Sequence, residues 1–356
     1  MRKTLWIICS LACLLSSCQS EAQTYPEETW SRAENPEVMG WSDANRSNFT
    51  RYIIDSTNIT GLVLVHKGQI VLEYGNINEN SYIASCRKSI LAMLYGKYVE
   101  NGTIDLDKTL EELNINDVTE LIPEEKKATV KDLISARSGV YLRGSNGGDF
   151  RRFAPERGSV APGSHWLYNN WDFNVAGHIF EQETQSNIYD EIETQLAKPL
   201  QMQDWDRTLQ EKSGDSNISK FPAYHMWFST RDMARIGLLM LRSGKWKDVQ
   251  VIPEDWVHEV IKQRTSYSEA QKSVPLLKED GLDLGYGYMW WLIENTKDHR
   301  LQNAYSAQGA LGQNITVYPN IDVVLAFKTN SVYRRRNSIQ TQMKLIEKAI
   351  EIYEVQ

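Results

Sequence analysis

One serine and one lysine in this chain are spaced so that they could act as a nucleophile and its base. Ser85 and Lys88 form the only Ser-x-x-Lys in the sequence. Residues three apart on a helix share a face, so the Lys88 amine can reach the Ser85 hydroxyl. A neutral, desolvated lysine can accept the serine proton and create an alkoxide nucleophile. This pattern arises by chance roughly once per chain. Its position after a hairpin and at a predicted helix start is what favours a catalytic role over a chance match.

A Tyr-x-Asn lies 83 residues after Ser85, at Tyr168-Asn169-Asn170. A phenol near the Ser–Lys pair could relay protons to a leaving group, and the Asn170 amide could hold Lys88 and the substrate. Two other Tyr-x-Asn matches, at 74–76 and 318–320, lie at strand ends, where turn chemistry explains the asparagine. Tyr168 is therefore the candidate.

A glycine-containing segment, 307–313, ends a predicted strand. Gly309 would let a substrate approach the backbone closely. A backbone N–H here, that of Ala310, could join the N–H of Ser85 at the positive end of a helix to form an oxyanion hole. A plain glycine-rich hairpin turn is the alternative.

The start of the chain resembles a lipoprotein export signal. Arg2 and Lys3 precede a short apolar run that is too brief to span a bilayer, and the run ends at Ser16-Ser17-Cys18. We expect residues 1–17 to be a signal peptide and residues 18–40 to be a lipidated Cys18 with a tether. The lipid would anchor the exported protein to a bacterial membrane, on its periplasmic or cell-surface side. An ordinary cleaved signal peptide is the alternative.

Composition excludes other classes of protein. The 356 residues are 41% hydrophobic and carry a net charge of −7, which fits a globular chain without a nucleic-acid-binding surface. The six histidines are scattered, and only Cys86 would remain beside a lipidated Cys18, so neither a zinc site nor a disulfide is expected.

The pattern of apolar residues predicts strands first, helices next and strands last. Strands are predicted in a hairpin over 61–74 and at 286–293, 304–309, 314–318 and 322–328. Helices are predicted at about 85–101, 129–138, 170–184, 187–198, 229–243, 253–263 and 337–353, and a long loop at 141–165. The early hairpin and late strands should form one antiparallel sheet covered by the terminal helices, with a cleft between the sheet and an inserted helical lobe.

Taken in order, the three segments resemble the serine β-lactamase and penicillin-binding-protein superfamily. The tyrosine motif is similar to the class C β-lactamase and esterase-like branch, and the third motif to 6-aminohexanoate-dimer hydrolases. The resemblance spans about residues 41–356, with supporting stretches at 100–107, 129–139, 162–163, 229–235 and 286–291. It implies an α/β fold of the α+β, β-lactamase/transpeptidase-like type, with a sheet lobe at about 41–84 and 265–356 and a helical lobe at about 85–264.

The resemblance also implies a serine hydrolase that needs no cofactor and acts on a small ester, amide or peptide. Ser85 would be acylated, Lys88 would activate it, and Tyr168 would carry the proton to the leaving group. Asn170 would orient Lys88 and substrate, and 307–310 would form the oxyanion side. A β-lactamase or D-Ala-D-Ala carboxypeptidase, and a catalytically silent binding protein for cell-wall peptides, stay open.

Three features depart from the family pattern or are ambiguous. The third motif commonly starts with Lys or His, but this chain has Ala307, which cannot anchor a substrate carboxylate. Arg87, inside the first motif, is expected to face solvent, with an anion contact as the alternative. One or two of several tryptophans are expected to line an acyl pocket; the candidates are Trp166, Trp171, Trp227, Trp290 and Trp291.

Overall fold

A computed structural model describes residues 23–279 and 281–354. The predicted signal peptide and Cys18 lie outside these residues. The described strands are β1 Gly61–His66, β2 Gln69–Gly75, β3 Ser81–Tyr82, β4 Glu211–Ser213, β5 Ala223–His225, β6 Trp227–Phe228, β7 Lys245–Trp246, β8 Val249–Gln250, β9 Asp283–Tyr286, β10 Trp291–Glu294, β11 Tyr305–Gly309, β12 Gln313–Tyr318 and β13 Val323–Lys328. The described α-helices are α1 Asp43–Ser56, α2 Cys86–Glu100, α3 Val130–Ile134, α4 Asn170–Thr184, α5 Ile188–Ile192, α6 Thr230–Leu241, α7 Glu254–Val260, α8 Tyr267–Ser273 and α9 Ile339–Glu351.

A single antiparallel sheet joins the two ends of the described chain. Its strand order is β2-β1-β13-β12-β11-β10-β9, and every neighbouring pair is antiparallel. The first strand pairs with the last along its whole length, from Gly61 opposite Lys328 to His66 opposite Val323. The predicted sheet of early hairpin and late strands is thereby confirmed.

Helices cover both faces of this sheet. Every residue of β1, β12 and β13 is buried, and successive strand residues point to opposite faces, so neither face meets solvent there. Helix α6 packs closely on one face because it carries Gly237, where a methyl group would lie 2.4 Å from Val324 Cγ1 and 2.9 Å from Ile315 Cγ2. On the other face, the Tyr318 hydroxyl donates to the Ile346 carbonyl of α9 at 2.8 Å.

Helix α6 lies within the predicted helical lobe in sequence but belongs in space to the sheet, which it contacts at β1, β12 and β13. Its N-cap, Ser229, accepts from the Asp232 N–H. Asp232 does not complete a capping box; its carboxylate accepts instead from the backbone N–H groups of Gln203 and Asp204. This buried carboxylate therefore ties α6 to the segment before β4.

The segment before α1 packs on the domain over residues 23–40, which the sequence analysis assigns to a tether. Trp30 is buried, and its indole N–H donates to the Arg231 carbonyl at 3.1 Å. Arg235 of α6 donates to the carbonyls of Glu27 and Glu28. Any free tether is therefore shorter than the predicted one. No helix in the described residues is long and apolar enough to cross a membrane.

Several elements differ from their predicted bounds, each for a local reason. The helix predicted at 129–138 ends at Ile134, because Ala136 adopts a left-handed conformation with φ 59°. The strand predicted at 286–293 is the hairpin of β9 and β10, turned at Met289 with φ 57°. The helix predicted at 187–198 continues past α5 as a π-helix over Glu193–Ala197. Helix α1 was not predicted, because only Phe49 and Ile53 in it are buried and its apolar pattern is weak.

Candidate active site

Ser85 stands at the start of α2 with its side chain available for chemistry. A serine at an N-cap normally accepts a helix N–H, but the φ of −77° and ψ of −8° of Ser85 are helical, and it makes no capping bond. The preceding Ala84 is held in the left-handed region at φ 49°, which is unfavourable for a residue with a side chain. Ser85 is partly exposed, whereas Ala84 and residues 86–94 are buried, so it is the accessible group at this helix start.

The Lys88 amine contacts three side chains that come from two parts of the chain, the start of α2 and the segment at 168–170. Its Nζ lies 3.1 Å from Ser85 Oγ, 2.6 Å from the Tyr168 hydroxyl oxygen and 2.7 Å from Asn170 Oδ1. The side chain is only 1% exposed. Burial holds the pKa of Lys88 well below its ordinary value, and the charge of Arg87 lowers it further. These contacts and this pKa suit an amine that accepts the Ser85 proton.

Tyr168 is enclosed by aromatic rings where the helices meet the sheet. Trp291 of β10 stacks on it with ring centroids 5.6 Å apart, and Phe173 and Tyr286 lie 4.8 and 6.1 Å away. Burial raises the pKa of the phenol, against the opposing effects of the Ser85 hydroxyl and the Arg87 charge. Tyr168 is therefore a neutral phenol next to Lys88, able to donate or accept one proton.

The five tryptophans proposed for an acyl pocket have different positions. Trp291 stacks on Tyr168, and the ring centroids of Trp166 and Trp291 are 6.0 Å apart. Trp227 is partly exposed beside Tyr82 of β3, with ring centroids 5.5 Å apart. Trp171 and Trp290 are fully buried, as is Trp166. Trp227 has the most exposed surface of the five, and it pairs with Tyr82 of β3, the strand that precedes Ser85.

Asn170 is fixed by a loop that sequence reasoning left without a role. Its Nδ2 donates to the Gly147 carbonyl at 2.8 Å, and its backbone N–H donates to Asp149 at 3.2 Å. Asn169, in the middle of the motif, caps α4 by accepting from the Trp171 N–H. Asn170 is thus a buried support for Lys88. The polar and glycine-rich stretch 145–149 within the predicted long loop was the signal for Gly147 and Asp149.

Strand β11 approaches Ser85 closely because Gly309 has no side chain. A methyl group there would lie 2.8 Å from the Ile83 carbonyl oxygen and 2.7 Å from Gln313 Oε1. Ala307 is fully buried, and its carbonyl lies 3.5 Å from the Cys86 sulfur. Within residues 23–279 and 281–354, neither the Ser85 nor the Ala310 backbone N–H donates to another group. Both are available to an incoming oxygen.

Arg87 does not face solvent, and that prediction was wrong. It is 2% exposed, with its guanidinium carbon 4.3 Å above the Tyr224 ring and Nη2 donating to Asn174 Oδ1 at 3.2 Å. The reason is its place two residues after Ser85, which turns it toward α4 and β5 rather than outward. In the described part of the chain, no three His, Cys, Asp or Glu side chains are grouped to hold a metal ion.

Comparison with known proteins identifies the family of this chain and supports its fold. The model of the Beta-lactamase family matches residues 58–348. A Bacillus anthracis protein described as a 6-aminohexanoate-dimer hydrolase is 19% identical, covering 91% of this chain and 88% of that one, with a TM-score of 0.62. The hydrolase EstCE1, with promiscuous acyltransferase activity, is 13% identical over 87% and 98%, with a TM-score of 0.61. A penicillin-binding-protein homologue from Caulobacter crescentus is 13% identical over 91% and 99%, also at 0.61. At these identities the solved structures establish the fold alone.

Gly309→Ala tests the close approach of β11. The added methyl group must push β11 away from the Ile83 carbonyl, and a displacement of about 1 Å at a reacting centre can cost about a hundredfold in rate. We expect the labelling rate of Ser85 by a fluorophosphonate probe to fall at least tenfold. Gly237→Ala is the matched control, because its clash with Val324 lowers the melting temperature away from Ser85. Equal labelling of the two variants at equal loss of stability would contradict this role of Gly309.

Proposed function

This chain belongs to the beta-lactamase family, and from that premise we propose that it is an exported, membrane-tethered serine hydrolase that forms an acyl-enzyme on Ser85. Family and fold together make it a serine hydrolase. The observation that supports Ser85 as the nucleophile is the contact of one buried amine, Lys88, with the Ser85 hydroxyl, the Tyr168 phenol and the Asn170 amide. Folding alone gives no reason to bring these groups together, which argues against a catalytically silent binding protein.

In the proposed acylation step, the free amine of Lys88 takes the Ser85 proton as Oγ attacks the carbonyl carbon of an ester or amide. The carbonyl π electrons move to oxygen, and the N–H groups of Ser85 and Ala310 stabilise the oxyanion. The tetrahedral intermediate then collapses, and the bond to the leaving group breaks. The proton held by Lys88 passes through the Tyr168 hydroxyl to the leaving oxygen or nitrogen.

Deacylation reverses these roles. A water molecule loses a proton to the Lys88 and Tyr168 pair and attacks the acyl carbon, and the ester bond to Ser85 breaks. The proton returns to Ser85 Oγ, so one water is consumed and one carboxylic acid leaves. Asn170, held by the loop at Gly147 and Asp149, keeps the Lys88 amine oriented toward Ser85 in both steps.

The substrate class follows from the strand beside Ser85. Ala307 has no exposed surface and no charge, so it cannot offer a cation to a substrate carboxylate. We therefore propose that a neutral ester or amide is preferred over a β-lactam or a D-Ala-D-Ala peptide. The aromatic surface of Trp227, partly exposed beside β3, suits an apolar group on such a substrate.

Location at a membrane is proposed from the sequence. The apolar run up to Leu15 ends at Ser16-Ser17-Cys18, which is typical of a signal whose cysteine receives a lipid. Only a short stretch, residues 19–22, separates this cysteine from the segment that packs on the domain. The hydrolase domain would therefore sit close to the membrane surface.

Ser85→Ala should abolish fluorophosphonate labelling, because loss of a nucleophile removes several orders of magnitude of rate. Ser89→Ala is the matched control one turn further along α2, where the buried hydroxyl donates to the Met289 carbonyl at 2.6 Å. That variant should lose stability and still be labelled. Labelling intensity in a gel and the melting temperature are the two measurements. Wild-type labelling of Ser85→Ala would overturn the assignment.

The wild-type protein should hydrolyse a neutral aryl ester more efficiently than a chromogenic cephalosporin. A carboxylate paired with a lysine gains a charge-assisted hydrogen bond of about 1.5–3 kcal/mol, which is about ten- to a hundredfold in kcat/KM, and Ala307 cannot provide it. The ratio of kcat/KM for the two substrates is the measurement, with a D-Ala-D-Ala peptide as a third substrate. A ratio in favour of the cephalosporin or the peptide would replace this proposal with a β-lactamase or carboxypeptidase.

Cys18→Ala should leave the protein without lipid and release it from the membrane fraction. The measurement is incorporation of radiolabelled palmitate together with fractionation. Cys86→Ala is the control, since the Cys86 thiol is fully buried inside the domain and cannot be acylated there. Palmitate in the Cys18→Ala protein at the wild-type level would show that this cysteine is not the acceptor.

A further inference from the structure

Arg87 is a buried cation for which the described residues provide no anion. Its guanidinium is 2% exposed, and it takes part in no ion pair within residues 23–279 and 281–354. Its Nη1 is buried and has no hydrogen-bond partner there. Burying a charge without a counter-charge is unfavourable, because the charge loses its hydration and gains no partner. A charge kept at this cost next to a nucleophile calls for a functional reason.

The groups that face Arg87 are all neutral at physiological pH. They are three phenols, an amide and an imidazole, contributed by β3, α4, α5 and β5: Tyr82, Tyr189, Tyr224, Asn174 and His225. Burial raises the pKa of each of the three phenols, that of Tyr224 to about 12. Burial and the Arg87 charge lower the pKa of His225 to about 4. None of these groups neutralises the guanidinium, so its positive charge also acts on other buried groups nearby.

Lys88 is the residue next to this charge. The two side chains leave the first turn of α2 from adjacent positions, and both are buried. Lys88 is surrounded by neutral groups, namely the Cys86 thiol, the Tyr168 phenol and Asn170, and the nearest carboxylate that acts on it is Asp149 of the loop. Asp172, two residues after Asn170 on α4, is turned to the Ser138 hydroxyl at 2.8 Å. Asp149 is therefore the carboxylate that opposes the effect of Arg87 on Lys88.

We propose, on the basis of the proposed function, that Arg87 is a positioning residue that acts through Lys88. Its uncompensated charge keeps the Lys88 amine in the free-base form that accepts the Ser85 proton. Asn170, which contacts Lys88, and Asn174, which contacts Arg87, lie one turn apart on α4. A positive charge on Lys88 would therefore arise in the same buried region as the guanidinium, where the dielectric is low and like charges repel more strongly than in water. Arg87, inside the Ser-x-x-Lys motif of this chain, thus controls the protonation of Lys88.

The direction of the effect follows from the sign of the charge. The pKa of Lys88 is lowered by burial and, next in size, by Arg87, and it is raised by Asp149. Removing the positive charge at 87 raises this pKa, so a smaller fraction of Lys88 is free base at a given pH. The acid limb of the pH profile, where the rate falls because Lys88 becomes protonated, then moves to higher pH. Removing the negative charge at 149 moves it to lower pH.

The test is the rate of fluorophosphonate labelling of Ser85 as a function of pH, which needs no knowledge of the natural substrate. Arg87→Gln keeps a donor for Asn174, and Arg87→Met fills a similar volume without charge. We expect the acid limb of both to move to higher pH, the labelling rate at pH 7 to fall several-fold and the rate at alkaline pH to approach that of wild type. Arg87→Lys should lie between wild type and Arg87→Met, and Asp149→Asn should shift in the opposite direction.

Arg235→Met separates electrostatic control from loss of packing. Arg235 is also a fully buried arginine, and it donates to backbone carbonyls at Leu200, Glu27 and Glu28 on α6's side of the domain. This control should lower the melting temperature and leave the acid limb in place. If the labelling rates of wild type and the folded Arg87 variants fall at the same acid pH, the proposal is overturned. The proposed function still stands in that case, provided that labelling depends on Ser85. Labelling that persists in Ser85→Ala would overturn the function itself.

Discussion

A lysine amine held out of water, in contact with a serine, a tyrosine and an asparagine, is the constraint around which this protein is arranged. Its three partners come from the start of α2 and from the segment that begins α4. An amine in that position is useful only as a free base, so the surroundings must be dry and poor in carboxylates. The aromatic rings around Tyr168 and the tight packing of α2 provide such surroundings.

The positions of the supporting elements follow from this requirement. The short pairing of β3 with β6 fixes the chain just before Ser85, and the left-handed Ala84 turns it into the helix. Asn169 caps α4 so that its neighbour Asn170 enters the helix beside Lys88. On the opposite side, Gly309 lets β11 come within van der Waals distance of the Ile83 carbonyl. The Lys88 amine and the Tyr168 phenol, which exchange protons, and the free N–H groups of Ser85 and Ala310 thereby lie around the Ser85 hydroxyl.

Sequence reasoning succeeded where the information is local and failed where it is tertiary. The spacing of Ser85 and Lys88 is a helical property. The single antiparallel sheet could be inferred because an early hairpin and late strands have to share one core. The burial of Arg87 could not be inferred, because it depends on Tyr224 and Asn174, which arrive from distant parts of the chain. The same holds for Asp149 and Gly147, whose carboxylate and carbonyl matter only once the long loop folds over Asn170.

The pairing of β1 with β13 has a consequence for how the chain comes to be folded. More than 250 residues separate Gly61 from Lys328, which lie opposite each other. During synthesis β1 and β2 are a two-stranded ribbon, which is marginal in water, and the edge of β1 stays open until the end of the chain emerges. Closing such a long loop is slow, and an open edge invites pairing with other chains. Chains that lack β13 leave the edge of β1 open, so we expect them to aggregate more readily than the complete chain.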